Sequence, residues 1–137
     1  MTLPSHVAAV AAAAVADYRP AQVANQKIKK KEASMSIALE PTTDILAHMG
    51  KTKGKQFLVG FALETENEVA NAKGKLERKH LDLIVLNSLN DQGAGFKTET
   101  NKVTFISKSG AVVPQELKPK DEVAKDLLHM IQNLMYA

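Results

Sequence analysis

Short apolar runs alternate with polar, lysine-rich stretches along the chain, and the length of each run discriminates among elements. Val7 to Val15 is small and apolar throughout. Such a run suits an alanine-rich helix and a buried strand alike. Pro20 stops helical continuation past Arg19, and a run with no polar face fits a central parallel strand buried on both sides. Residues 19–35 are polar and loop-like, carrying Lys27, Lys29, Lys30 and Lys31, and Met35 to Glu40 alternates as a short strand does. Thr42 or Thr43 is placed to cap a helix through Met49, with Asp44 in its first turn and Gly50 as the left-handed residue that ends it.

Phe57 to Leu63 is a second strand, with Glu64 and Thr65 at its carboxyl end. From Glu66 to His80, Val69, Ala72 and Leu76 recur at helical spacing, and Lys75 and Lys79 stand one turn apart on a neighbouring face, where both amines can reach one anion. Leu81 to Leu86 is a third strand ending at Asn87, followed by a loop to Thr100 containing Gly93 and Gly95. Val103–Ile106 and Val112–Val113 flank Ser109 and Gly110 as a hairpin. Pro119 then opens a helix that turns Val123, Leu127, Met130, Ile131 and Leu134 inward. This order predicts an α/β fold with a mostly parallel sheet and crossover helices. Ligands of such sheets bind beyond the strand carboxyl ends, where Asp17, Phe61 with Glu64, and Asn87 fall.

Composition narrows the chemistry. At 137 residues, 45% hydrophobic and 24% charged, the chain reads as a single domain spanning 1–137. No apolar run approaches the roughly 20 residues of a membrane span, and the apolar start has no basic residue before it, so it reads as core rather than signal peptide. The absence of cysteine excludes disulfides, a thiolate nucleophile and thiolate-bound metals; a cytoplasmic setting fits. The net charge is only +3, and 16 of the 18 basic residues are lysine. Lysines suit phosphate, whereas specific nucleic-acid recognition usually shows arginine forks or aromatic platforms, and aromatics are 4% here.

Several local patterns fail. Gly50-Lys51-Thr52 ends like a phosphate-binding loop, but Ile45 stands where that loop needs its first glycine, and Gly93 and Gly95 give only the beginning of a dinucleotide fingerprint. His6, His48, His80 and His129 have no metal-ligand spacing. By composition alone, the Lys27 to Lys31 cluster is a solvated charge run or weak polyanion contact more readily than a catalytic element.

Taken in order, AAVADYRP (13–20), KIKK (27–30), TDIL (43–46), VGFALET (59–65), AKGKLERKHLDLIVLN (72–87) and GF (95–96) resemble phosphopantothenate-cysteine ligase, in particular the C-terminal portion of the bacterial bifunctional decarboxylase/ligase, a DNA/pantothenate metabolism flavoprotein. The resemblance covers essentially the whole chain. It implies a Rossmann-like fold, a homodimer, and use of CTP with magnesium to join 4'-phosphopantothenate to L-cysteine through an acyl-cytidylate. It places nucleotide contacts at Ala11, Ala12, Ala13, Asp17, Thr43, Asp44, Ile45, Leu46, Phe61, Lys75 and Lys79. Lys27 is implied to approach the triphosphate and assist conversion of the acyl-nucleotide, and residues 19–40 to form a basic arm used in dimerisation.

Departures accompany the match. Thr43 stands where the family usually has proline, Leu63 where it often has alanine, and Leu86-Asn87-Ser88 where Ala-Asn-Asp is usual. The family's earlier Gly- and Ser-rich segment, with an essential asparagine, has no counterpart, nor has the flavin-binding decarboxylase half. The resemblance therefore implies an N-terminally truncated ligase domain, inactive alone and without FMN. The alternatives from other classes are a lysine-rich, non-enzymatic polyanion-binding module and a dimerisation module.

Overall fold

The computed structural model describes residues 7–30, 33–91 and 98–136. His6, Lys31, the Gly93–Gly95 stretch and the GF pair at 95–96 lie outside these residues. A five-stranded sheet has the order β1 (Ala8–Ala11), β4 (Phe57–Glu64), β5 (Leu83–Ser88), β7 (Val103–Ser107) and β8 (Val112–Pro114). β1, β4 and β5 are parallel; β7 and β8 run antiparallel as the expected hairpin. Gly110, at φ 94°, supplies the left-handed turn residue. Two small ribbons stand apart, β2 (Tyr18–Pro20) with β3 (Leu39–Pro41), and β6 (Thr100–Asn101) with β9 (Lys118–Pro119).

Strand alternation divides the core into two layers. Leu58, Ala62, Ile84, Leu86 and Ile106 meet Ala72 and Leu76 of α2 (Glu68–Arg78), with Leu46 and Met49 of α1 (Ile45–Thr52) packed against them. On the other face, Val59, Leu83, Val85, Val103 and Phe105 meet Val123, Leu127 and Ile131 of α3 (Lys120–Met135). The result is the α/β architecture read from the sequence, with helices on both faces of a mixed, mostly parallel sheet. β4 and β5 are covered on both sides, which is why their sequences are apolar without alternation.

Several boundaries differ from expectation, each for a physical reason. The first strand is only Ala8–Ala11, not the whole Val7–Val15 run, and lies at the sheet edge among the described residues, with Val10 and Val15 exposed. Met35–Glu40 contributes only Leu39–Pro41, pairing with Tyr18–Pro20. α2 begins at Glu68, two residues after the expected start, and its Val69 is exposed. β5 begins at Leu83, because Leu81 closes the α2 terminus through a bond from its N–H to Leu76 O.

The cap of α1 is Asp44 rather than either threonine; its carboxylate accepts the Ala47 N–H at 2.9 Å. Gly50 does not end that helix. It lies inside α1, where a Cβ would fall 1.7 Å from Lys79 O, so glycine is required by the close crossing of α1 over the end of α2. Gly60 does the same on β4, where a Cβ would stand 2.7 Å from Leu46 Cδ2. Two absent side chains thus let α1 sit down on β4 and α2.

Candidate functional site

β1, β4 and β5 are parallel, so their carboxyl ends lie at one edge of the sheet. After β1 the chain runs through Ala12 and Ala13, both exposed, to Asp17. Thr42 fastens this loop to the entry of α1: its N–H donates to Asp17 O at 2.8 Å and its hydroxyl donates to Ala16 O. Ala16 and Asp17 are thereby held against Thr42, the residue before Thr43 and Asp44. From there Ile45 stays exposed, and Leu46 turns down against Gly60.

Lys75 of α2 and Lys79, which follows the last residue of that helix, are held by different carboxylates rather than converging on one point. Lys75 Nζ lies 2.7 Å from Glu64 Oε1 at the end of β4, and Lys79 Nζ lies 3.1 Å from Asp44 Oδ2 at the start of α1. The Asp44 carboxyl titrates below its ordinary range, chiefly because the Ala47 N–H donates to it and further because Lys79 is beside it, with partial burial opposing. The arrangement is a row of two ammonium groups along one helix face, each fixed by an acid from another element.

The remaining predicted positions fall elsewhere. Phe61 and Asn87 share the α3 face of the sheet by strand alternation, whereas Leu46, Glu64 and Lys75 belong to the opposite face. Asn87 Oδ1 is buried without a hydrogen-bond partner among the described residues. Lys27 is exposed in the segment between β2 and β3 and takes part in none of the ion pairs of Lys75 and Lys79. Asp17 is likewise exposed.

Beyond β5, Ser88 joins two elements. Its hydroxyl donates to Glu68 Oε1 at 2.6 Å and accepts the Asn90 N–H at 3.1 Å, while Asn90 Nδ2 donates to Glu68 Oε1 at 2.8 Å and to Thr65 O at 2.7 Å. This ties the end of β5 to the start of α2, beside an open hollow lined by Thr65, Asn67, Glu68 and Asn90. Sequence reasoning missed both this knot and the Thr42 clamp, since each joins residues far apart in the chain. Glu64 was signalled by its place at a strand end, but its pairing with Lys75 was not.

Among the described residues no three His, Asp or Glu side chains are grouped to hold a metal ion. An ion carried by nucleotide phosphates needs only one or two protein carboxylates, and the exposed Asp17, beside the Thr42 clamp, is compatible with that mode.

Residues 2–135 match the family described as the DNA/pantothenate metabolism flavoprotein C-terminal domain. The chain is 54% identical over 129 residues to a protein named Cysteine/Cysteine sulfinic acid decarboxylase from an unknown prokaryotic organism, covering 93% of this chain and 36% of that protein. It is 42% identical over 122 residues to the Coenzyme A biosynthesis bifunctional protein CoaBC of Bacillus subtilis (strain 168), covering 89% of this chain and 30% of that protein. The crystal structure of the C-terminal domain of a CoaBC protein superposes with a TM-score of 0.73 at 37% identity, over 96% of this chain and 56% of that one. The chain spans about a third of the length of the curated relatives it matches. Matched over nearly its whole length and sharing this sheet and its helices, the chain belongs to the DNA/pantothenate metabolism flavoprotein C-terminal domain family.

Proposed function

We propose that this chain supplies the nucleotide-binding part of a phosphopantothenate-cysteine ligase of coenzyme A biosynthesis. The observation that carries the reading is the pair of anchored ammonium groups, Lys75 and Lys79, at the carboxyl edge of the sheet beside the clamped Ala11–Asp17 and Thr43–Leu46 loops. Two fixed positive charges there suit a triphosphate. The relatives' names include a decarboxylase and a bifunctional protein, and this lysine arrangement favours the ligase activity for the matched third.

In the proposed reaction, the carboxylate of 4'-phosphopantothenate attacks the α-phosphorus of CTP, and pyrophosphate leaves. The amine of L-cysteine then attacks the acyl carbon, forming the amide, and CMP leaves with the electron pair of the broken acyl–phosphate bond. Lys75 and Lys79 offset charge that builds on the phosphates. Lys27 approaches the acyl-nucleotide from the segment between β2 and β3. Magnesium, bound with the nucleotide, supplies further charge compensation. No nucleophilic side chain is needed, which accords with a chain that has no cysteine. A cytoplasmic location accompanies this reading.

The homodimer is proposed on the arm at residues 19–40 and its approach. Tyr18, Ile28, Met35, Ile37 and Leu39 are more than half exposed, and Val23 reaches 87%. Large apolar side chains exposed on the ribbon and on the segment that joins its strands favour burial against a second copy. The polyanion-binding alternative rests on the exposed Lys27, Lys29 and Lys30 of the same arm.

Titration calorimetry with CTP, and with ATP for comparison, at fixed ionic strength with magnesium tests the nucleotide reading. Saturable, CTP-preferring binding that weakens in Lys75→Ala is expected. A folded chain that binds neither nucleotide would sink it, and steep salt dependence without nucleotide preference would favour the polyanion module.

A further inference from the structure

The geometry points to Glu64 as a positioning residue that fixes the Lys75 ammonium for a polyphosphate ligand, an inference that rests on the nucleotide reading above. Glu64 is the last residue of β4, the strand flanked by β1 and β5, and its backbone is held by pairing with Ser88 and by the Leu89 N–H donating to its carbonyl at 3.2 Å. Its side chain is only 13% exposed, and Oε1 is buried, with the Lys75 ammonium 2.7 Å away. Oε2 faces Asn71 Nδ2 at 3.5 Å, and Asn71 is itself held by a 2.9 Å bond to Glu66 O.

The asymmetry of the pair gives the role its direction. A lysine on a helix surface samples many rotamers, whereas a carboxylate at the end of a packed strand has nowhere to go. Lys75 keeps about a third of its side chain exposed, so its ammonium can meet a ligand from outside while one buried oxygen anchors it from below. A phosphate arriving at this edge then finds the charge already placed and does not have to order it. Lys79 is held by Asp44 in the same way, but that carboxylate is half exposed and its pairing is longer, at 3.1 Å.

The test uses the full chain, with Glu64→Gln, Lys75→Ala and the double variant, and two readouts. Relaxation of lysine ε-carbons in the ligand-free protein should show Lys75 restricted relative to the exposed Lys73 on the same helix, and that restriction should vanish in Glu64→Gln. CTP binding, measured calorimetrically with magnesium, should weaken roughly tenfold in Glu64→Gln. It should be no weaker in the double variant than in Lys75→Ala, because Glu64 acts through that lysine. Equal mobility of Lys75 and Lys73 in the unaltered chain overturns the proposal. So does unchanged or tighter CTP binding by Glu64→Gln, the latter showing a competing carboxylate rather than a support. Absence of CTP binding by the unaltered, folded chain overturns the nucleotide reading itself and the proposal with it.

Discussion

The carbonyl oxygen of Lys79 occupies the space in which a side chain on Gly50 would begin, 1.7 Å from the ideal Cβ position. Both partners are backbone, so neither can yield by changing rotamer. Gly50→Ala is therefore expected to force α1 and the end of α2 apart, at a cost at or above the roughly 1–3 kcal/mol of ordinary overpacking. A denaturant melt measures the loss. Unchanged stability would show that the two helices do not meet this closely.

Asp44 couples the same crossing to pH. Its folded carboxyl lies below the ordinary value because the Ala47 N–H, and then Lys79, favour the charged form. A depressed carboxyl contributes stability above its unfolded value and loses it as pH falls through the folded value. Replacing Asp44 with alanine should cost about 1 kcal/mol at neutral pH through the lost cap. Asp44→Asn keeps an acceptor for Ala47 but no charge, so its melting temperature should fall less than that of the unaltered chain between about pH 5 and pH 2. Parallel acid limbs for the two proteins would refute this.

His80 follows α2 with φ 53°, a left-handed conformation that a side chain disfavours. Its N–H donates to Glu77 O and the next N–H, of Leu81, to Leu76 O, so the conformation is needed to turn the chain into β5. His80→Gly should stabilise the fold by about 1 kcal/mol, since the released strain exceeds glycine's extra unfolded-state entropy. A lower melting midpoint would mean that the imidazole makes contacts worth more than the strain.

Ser88→Asp would place a second carboxylate against Glu68, which now accepts the serine hydroxyl at 2.6 Å. Two carboxylates at that distance cannot both ionise cheaply. The variant should lose about 1–3 kcal/mol near neutral pH and recover part of it on acidification, as one carboxyl takes a proton. A pH-independent loss would point to packing rather than charge.

Self-association offers a separate test of the arm. Ile28→Asp combined with Ile37→Asp changes side chains already exposed in the single chain. The expected outcome in sedimentation velocity is a shift from dimer to monomer with little change in melting temperature. An unaltered chain that sediments as a monomer at tens of micromolar would remove the basis for the homodimer.

The residues that pack were legible because their spacing is local. Leu58 to Ala62, Ala72 with Leu76, and Val123 with Leu127 and Ile131 all follow strand or helix periods and form the two core layers. What misled was composition without context: the apolar Val7–Val15 run is a strand only over Ala8–Ala11, and Gly50 looks like a helix terminus although its purpose is an interhelical contact. At the site, strand ends were readable from sequence, but faces were not assigned, so Phe61 and Glu64 seemed neighbours although alternation separates them. The carboxylate partners of Lys75 and Lys79 come from other elements, and no spacing rule connects them.

The two margins of the sheet are chemically unlike. β8 is three residues long and finishes at Pro114, whose nitrogen has no hydrogen to offer a further strand. β1, at the opposite margin, is alanine and valine only, with neither charge nor proline to repel a neighbour. Among the described residues, an added extended strand thus finds nothing on the β1 side chains to oppose it, whereas the β8 side ends on a residue that cannot donate.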